Sequence, residues 1–255
     1  MRKNTIVCKS NAIYIVAILF GVLLMLPFVG DKEAIKAEQY ISSLSLASLG
    51  RNISYFPQFV PRFIPLLVIQ VFWGISIYKD FCVACIYIFS RRNFRTRWAI
   101  AQLMKLLFRV LIYIVIIVLS ALITIMLFAN VIIDQYTIGY VIWMVSIIVL
   151  YSFDTIMMIN LLSFFVESGL AFAITEIINL ISIAVYLFSA KLNIEDSQIL
   201  KMNIFFRLMV EPESNITQHV ISLMYFSISA IIIAVIAIVV ISKTQFTKSC
   251  YEGDF

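Results

Sequence analysis

Apolar runs close to the length of a bilayer crossing divide this chain, and charged residues fall almost entirely between them. Such runs read as transmembrane α-helices, which need about 20 apolar residues each. They do not alternate with period two, so a membrane β-barrel is excluded. The predicted spans are about Ala12–Val29, Phe63–Tyr78, Val110–Ala129, Gly139–Leu161, Leu170–Ala190 and Val220–Ile241. The stretch from Ile138 to Ala190 holds no Lys or Arg and is too long for one crossing. Glu167-Ser168-Gly169 marks the turn between its two helices. The expected fold is all-α: a polytopic membrane protein of six transmembrane helices in a single domain, residues 1–255.

The segments between spans differ in character. Asp31–Arg62 has mixed charge, and its middle, Ala34–Leu49, suits an amphipathic helix on the membrane surface. The second span is short, interrupted by Lys79 and Asp80, after which Phe81–Phe89 is apolar again. Nine apolar residues are too few for a separate crossing. Either Phe81–Phe89 lies at the interface or one helix continues through to Phe89. Ala99–Leu107, with Lys105 and then Arg109, reads as an amphipathic lead-in to span 3. Lys191–Gln218 is a second sizeable loop with an amphipathic element at Ile199–Val210. A signal peptide competes for the basic start, but its apolar core would run about 7–15 residues. The longer run favours an uncleaved first span with the N-terminus inside.

Six spans put both ends on one side, and charge says which. The inside segments carry twelve basic residues: Arg2, Lys3, Lys9, Lys79, Arg91, Arg92, Arg95, Arg97, Lys105, Arg109, Lys243 and Lys248. Four acids accompany them, against seven basic residues and eight acids outside. That bias predicts N-in, C-in topology for a multi-pass protein of a cell membrane, the expected one being a bacterial cytoplasmic membrane. Composition agrees. The chain is 63% hydrophobic, where soluble domains average about 45–50%. The net charge of +5 reflects retained Lys and Arg, and no nucleic-acid partner is implied. The four cysteines, Cys8, Cys82, Cys85 and Cys250, fall on the inner side, where thiols stay reduced. Cys82-x-x-Cys85 lacks a second pair, and the single histidine, His219, falls on the other side.

No catalytic or cofactor chemistry is legible. The seven glycines never precede a Lys-[Ser/Thr] pair, so no phosphate cradle exists. There is no HExxH and no Gly-x-Ser-x-Gly elbow. The chain reads as a non-enzyme, without metal or cofactor. Asp154, Glu167 and Glu176 lie in or near spans, where an acid costs about 2.5–3.5 kcal/mol at a helix centre. Glu167 fits a turn at the headgroups, with Glu176 one or two turns in. Asp154 is the deepest. With no intramembrane Lys or Arg to pair with it, it either carries a proton or lines a wet cavity.

Four arginines stand within seven residues, at Arg91, Arg92, Arg95 and Arg97. Together with the order of features around them, they give the chain its resemblance. Asp80, then Phe81 and the apolar Tyr87-Ile88-Phe89, then Ser90-Arg91-Arg92 and finally Lys105 resemble the loop between spans 2 and 3 of ABC-2-type permeases. Asn160-Leu161-Leu162-Ser163-Phe164-Phe165 before Glu167-Ser168-Gly169 resembles that family's connection between spans 4 and 5. The chain departs from the commoner pattern in having four arginines and no proline at the junction. Within the family it is similar to small permeases that accompany peptide antibiotics in Gram-positive bacteria. The resemblance implies a cytoplasmic docking helix between spans 2 and 3, spanning Asp80–Trp98 and contacting a separate ATPase that uses the ATP. It also implies a second permease chain, identical or not, and export or clearance of a peptide or other amphipathic substrate. Two other readings remain: a gradient-driven carrier using Asp154 and Glu176, and a membrane immunity or interaction protein that transports nothing.

Overall fold

The computed structural model describes residues 2–28, 35–37, 40, 42, 56–87, 94–129, 131–132, 134–189, 198–208 and 216–243. Within these, the side chains of residues 2–11, 35, 36, 56, 86, 87, 198 and 199 are not described. The described chain is nearly all helical. In order come α1 (Arg2–Met25) with a 3-10 turn at Leu26–Phe28, strand β1 (Ile35–Lys36), α2 (Phe56–Trp73) and α3 (Ser76–Tyr87). Then follow α4 (Arg95–Phe128), strand β2 (Val131–Ile132), α5 (Gln135–Leu162) and α6 (Ser168–Phe188). The last are the short α7 (Gln198–Met202) and α8 (Ile204–Leu208), and α9 (Ile216–Lys243).

Among the described residues, five helices are long and apolar enough to cross a membrane, with α2 and α3 counted together as Pro57–Cys85. Ala12–Phe28 forms a shorter apolar helix. The apolar helices fall where the hydrophobic runs placed them. Of the two readings left open for the second run, the helix follows the longer: it resumes after a break and runs to Tyr87. The lead-in before Val110 joins the third run in one helix, α4, continuous for 34 residues. At 1.5 Å per residue that is about 51 Å, well beyond the roughly 30 Å of a hydrocarbon core. At the start of α5, Asp134 caps the helix by accepting from the Thr137 amide at 2.7 Å and from its hydroxyl at 2.9 Å. The expected element at Ala34–Leu49 and the residues Ile88–Asn93 lie largely or wholly outside the described residues.

The bundle is built around α5, which packs on α2, α3, α4, α6, α8 and α9. The helix α1 packs chiefly on α4. Its buried positions Ile13, Ala17, Gly21 and Met25 recur every four residues, one stripe of a helix. A Cβ at Gly21 would run into the Ser120 hydroxyl and the Ile117 carbonyl. Small residues thus let two backbones approach closely, the packing that helices in lipid favour. At the opposite end from Arg95, β1 and β2 pair in parallel, Ile35 with Val131 and Lys36 with Ile132.

The segment expected as a surface amphipathic helix, Ile199–Val210, is instead broken at Asn203 and enters the bundle. Asn203 donates from Nδ2 to the Ser182 carbonyl at 2.9 Å. Its Oδ1 accepts the amides of Phe205 and Phe206, at 2.8 and 3.3 Å. These bonds anchor α7–α8 to α6 and start α8. Phe205 is fully buried, with ring centroids 5.8 Å from Phe59 and 5.8 Å from Tyr151. The burial of these aromatics outweighs the surface preference of Lys201 and Arg207, which remain at the edge.

Candidate functional site

The helix made by α2 and α3 is interrupted at Gly74–Ile75. In an unbroken helix the Ile77 amide would bond the Trp73 carbonyl. Here the carboxamide of Asn160, on α5, is inserted between them. Its Nδ2 donates to the Trp73 carbonyl at 3.1 Å, and its Oδ1 accepts the amides of Ile77 at 2.8 Å and Tyr78 at 3.2 Å. A side chain entering the helical ladder is a recognised cause of a sharp bend. Backbone groups freed deep in an apolar bundle persist where a neighbour satisfies them. Gly74 is needed because a Cβ there would meet the Gln70 carbonyl, and Ile159 at 3.1 Å. One turn away, Gln70 donates to the Thr155 hydroxyl at 3.3 Å.

Below the break, four aromatic rings tie three elements together. Phe81, fully buried on α3, meets Phe164 at 5.0 Å between centroids and Trp98 at 6.2 Å. Tyr78 meets Phe164 edge-on at 5.3 Å. Phe164 belongs to the turn after α5, held by bonds from Phe164, Phe165 and Val166 back to Leu161 and Leu162. Trp98 lies in the first turn of α4. The expectation that Phe81 anchors the lipid side or an ATPase groove is therefore corrected: its ring is spent inside the bundle. Asp80 beside it is half-buried.

Of the expected docking helix Asp80–Trp98, only the two ends are described: α3 runs to Tyr87 and α4 opens at Arg95. Phe94, just before it, has non-helical backbone, φ −105° and ψ 40°. Ile88, Phe89, Ser90, Arg91 and Arg92 lie outside the described residues, as does the Tyr87 side chain. Arg95 is half-buried, while Arg97 and Lys105 are exposed along the first turns of α4. Beside the ring cluster, Tyr78, Lys79, Cys82, Phe165 and Glu167 border a cleft of about 270 Å³. Lys79 and Glu167 are exposed, giving it both signs of charge. Glu167 sits at the N-cap of α6, as the turn reading required, without a side-chain cap bond. Cys82 is disulfide-bonded and Cys85 is free; the expectation of four reduced thiols does not hold in this structure.

The remaining acids face a different space. Asp154 is only 7% exposed. Its carboxylate pairs with the Ser229 side chain on α9. Its Oδ1 is buried and has no hydrogen-bond partner. Asp154, Thr155, Thr175, Asn179 and Ser229 form the polar side of a cavity of about 250 Å³ between α5, α6, α8 and α9. Glu176 is half-buried and accepts from Asn179 Nδ2 at 3.4 Å, one turn along its own helix. Among the described residues, no group of three or more His, Cys, Asp or Glu could hold a metal ion. His219 lies at the far end of α9, edge-on to Trp143 at 4.0 Å.

Known protein families, characterised proteins and solved structures yield no match to this chain. The resemblance to ABC-2-type permeases therefore rests on the sequence features given above. Two site elements were missed from sequence: the Asn160 bridge and the inserted α8. A polar Asn inside an apolar run was the available signal for the first.

Proposed function

We propose that this chain is the non-catalytic, membrane-spanning permease subunit of an ATP-binding-cassette transporter. It exports or clears a peptide or other amphipathic substrate. A separate ATPase drives it, and a second permease chain completes the pathway. Both termini lie in the cytoplasm of a cell-membrane protein, so the end bearing Lys79, Arg95, Arg97 and Glu167 faces the ATPase.

The observation that carries this reading is the continuity of packing behind that face. Trp98 on the basic head of α4 touches Phe81, Phe81 touches Phe164, and one turn back from Phe164 stands Asn160 in the break of span 2. Coupling needs an element with two arrangements that a distant event can bias. A helix interrupted around one carboxamide is suited to that, because its hydrogen bonds can be redistributed without unfolding either half. Arginine suits the ATPase contact, since its planar fork binds carboxylates in fixed geometry.

Exposed ion pairs contribute about 0.2–1 kcal/mol each, so the test reverses two charges together. Arg95→Glu with Arg97→Glu is expected to lose the ATPase from the purified complex, or to keep it without transport. Thiol labelling at Ser43, Ser197 and Thr247, each replaced by cysteine, must show unchanged orientation. The first two positions label from outside intact cells and the third does not. A correctly oriented double variant that binds its ATPase and transports would overturn the proposal. The gradient-driven reading draws on one observation, the partnerless Asp154 Oδ1; it differs in requiring no ATPase.

A further inference from the structure

We propose that Lys105 and Arg109, one turn apart on α4, bind the headgroup phosphate of an anionic phospholipid at the cytoplasmic edge of the bilayer. The first ground is depth. No charged residue occurs between Arg109 and Asp134. Within that stretch α4 runs from Val110 to Phe128, which matches the roughly 20 residues that fill a hydrocarbon core. The turns before it therefore continue past the core, and Arg109 stands at the core's edge. Lys105 stands about 6 Å further out by helical rise, within a headgroup layer about 5–8 Å thick on each side. The depth follows from the helix alone; only the side of the membrane rests on the orientation proposed above.

The second ground is the face presented. Ala99, Leu103, Leu106 and Val110 are buried against the bundle. On the opposite side Ile100, Met104 and Phe108 are exposed, spaced four apart. The same side continues through the core as exposed Leu111, Leu119, Ile123 and Met126. One apolar ridge thus runs along α4 from the core into the headgroup layer. Lys105 and Arg109 flank that ridge, Lys105 exposed and Arg109 half-buried. A lipid whose chains lie on the ridge brings its phosphate to both cations. A soluble protein would have to displace lipid from the ridge to reach them.

The third ground is charge. No Asp or Glu occurs from Phe81 to Ile133, so α4 offers neither cation an acid along its own length. Residues four apart on a helix have Cβ atoms about 5–6 Å apart, near enough for two cations to share one phosphate. The planar fork of arginine takes two phosphate oxygens, and lysine adds a compact charge beside it. Half-burial of Arg109 lessens the screening of its charge by salt. A zwitterionic headgroup would bring its own ammonium against Lys105, so the pair selects an anionic one. The assignment takes Lys105 out of the ATPase contact that the resemblance implies, and leaves Arg95 and Arg97 to it.

The test uses the full chain extracted from vesicles of equal phosphatidylglycerol and phosphatidylcholine, with the retained lipid read by native mass spectrometry. Both leaflets hold both lipids, so a chain oriented the other way would give the same result. Wild type is expected to retain phosphatidylglycerol about tenfold over phosphatidylcholine, the scale of two cations at an anionic surface. Lys105→Gln with Arg109→Gln is expected to erase the preference. Lys243→Gln with Lys248→Gln removes as much charge elsewhere and is expected to keep it. Equal retention of the two lipids by wild type would overturn the proposal without reference to any variant's folding. Equal losses in the two double variants would overturn it too, since net charge alone would then suffice. So would displacement of the retained lipid by inorganic phosphate. A Lys105→Gln, Arg109→Gln chain that keeps its lipid and loses the ATPase would return the pair to the protein contact.

Discussion

Asn160 accepts the backbone amide of Ile77 at 2.8 Å across eighty-three positions of sequence. It thereby stands in for the helical bond that Gly74–Ile75 breaks. The same carboxamide donates to the Trp73 carbonyl on the other side of the gap, and Asn160 is 1% exposed.

Removing that carboxamide is expected to be severe. Asn160→Leu leaves the Ile77 and Tyr78 amides without their partner, and a buried group so stranded costs about 1–3 kcal/mol. A clear fall in thermal unfolding midpoint should follow. Asn160→Asp keeps the acceptor and loses the donor to Trp73, so it should fall between. Equal midpoints for all three chains would show that the break is satisfied some other way.

The apolar helices were legible because bilayer-length apolar runs leave few alternatives. The break was not, because hydropathy registers charge and Gly74 carries none. Lys79 and Asp80 drew attention as the interruption, yet both sit within resumed helix, one turn beyond the true break. Asp154 stood out as the deepest acid, and among the described residues it is the one acid buried in the bundle. Its cavity was invisible because Ser229, Thr175 and Ile204 reach it from three different elements. The inserted α8 misled for a related reason: Lys201 and Arg207 flank apolar residues whose burial only tertiary packing reveals.

Gly21 tests the seam between α1 and α4. Gly21→Ala places a methyl against the Ile117 carbonyl, which is backbone and cannot rotate away. Overpacking of this kind costs about 1–3 kcal/mol. Ser120→Gly removes the hydroxyl but leaves the carbonyl, so it is expected to rescue Gly21→Ala only in part. Full rescue, measured as recovered thermal midpoint, would place the conflict at the side chain alone.

The ring cluster tests transmission separately from docking. Trp98→Ala removes one end of the path from α4 to Phe164 while leaving Arg95 and Arg97. The expected variant retains its ATPase in equimolar amount and hydrolyses ATP, with transport reduced several-fold. Phe81→Ala should do the same and also destabilise the chain, since emptying a buried Phe site costs about 3–5 kcal/mol. Unimpaired transport by Trp98→Ala would remove the cluster from the coupling route.

The most direct measurement is the composition and activity of the complex purified through this chain from its native membrane. The proposed function requires a nucleotide-binding ATPase in equimolar amount, with ATP hydrolysis that reconstituted vesicles couple to substrate movement. A chain that purifies without any ATPase, and that moves substrate in vesicles under an ion gradient alone, would contradict it.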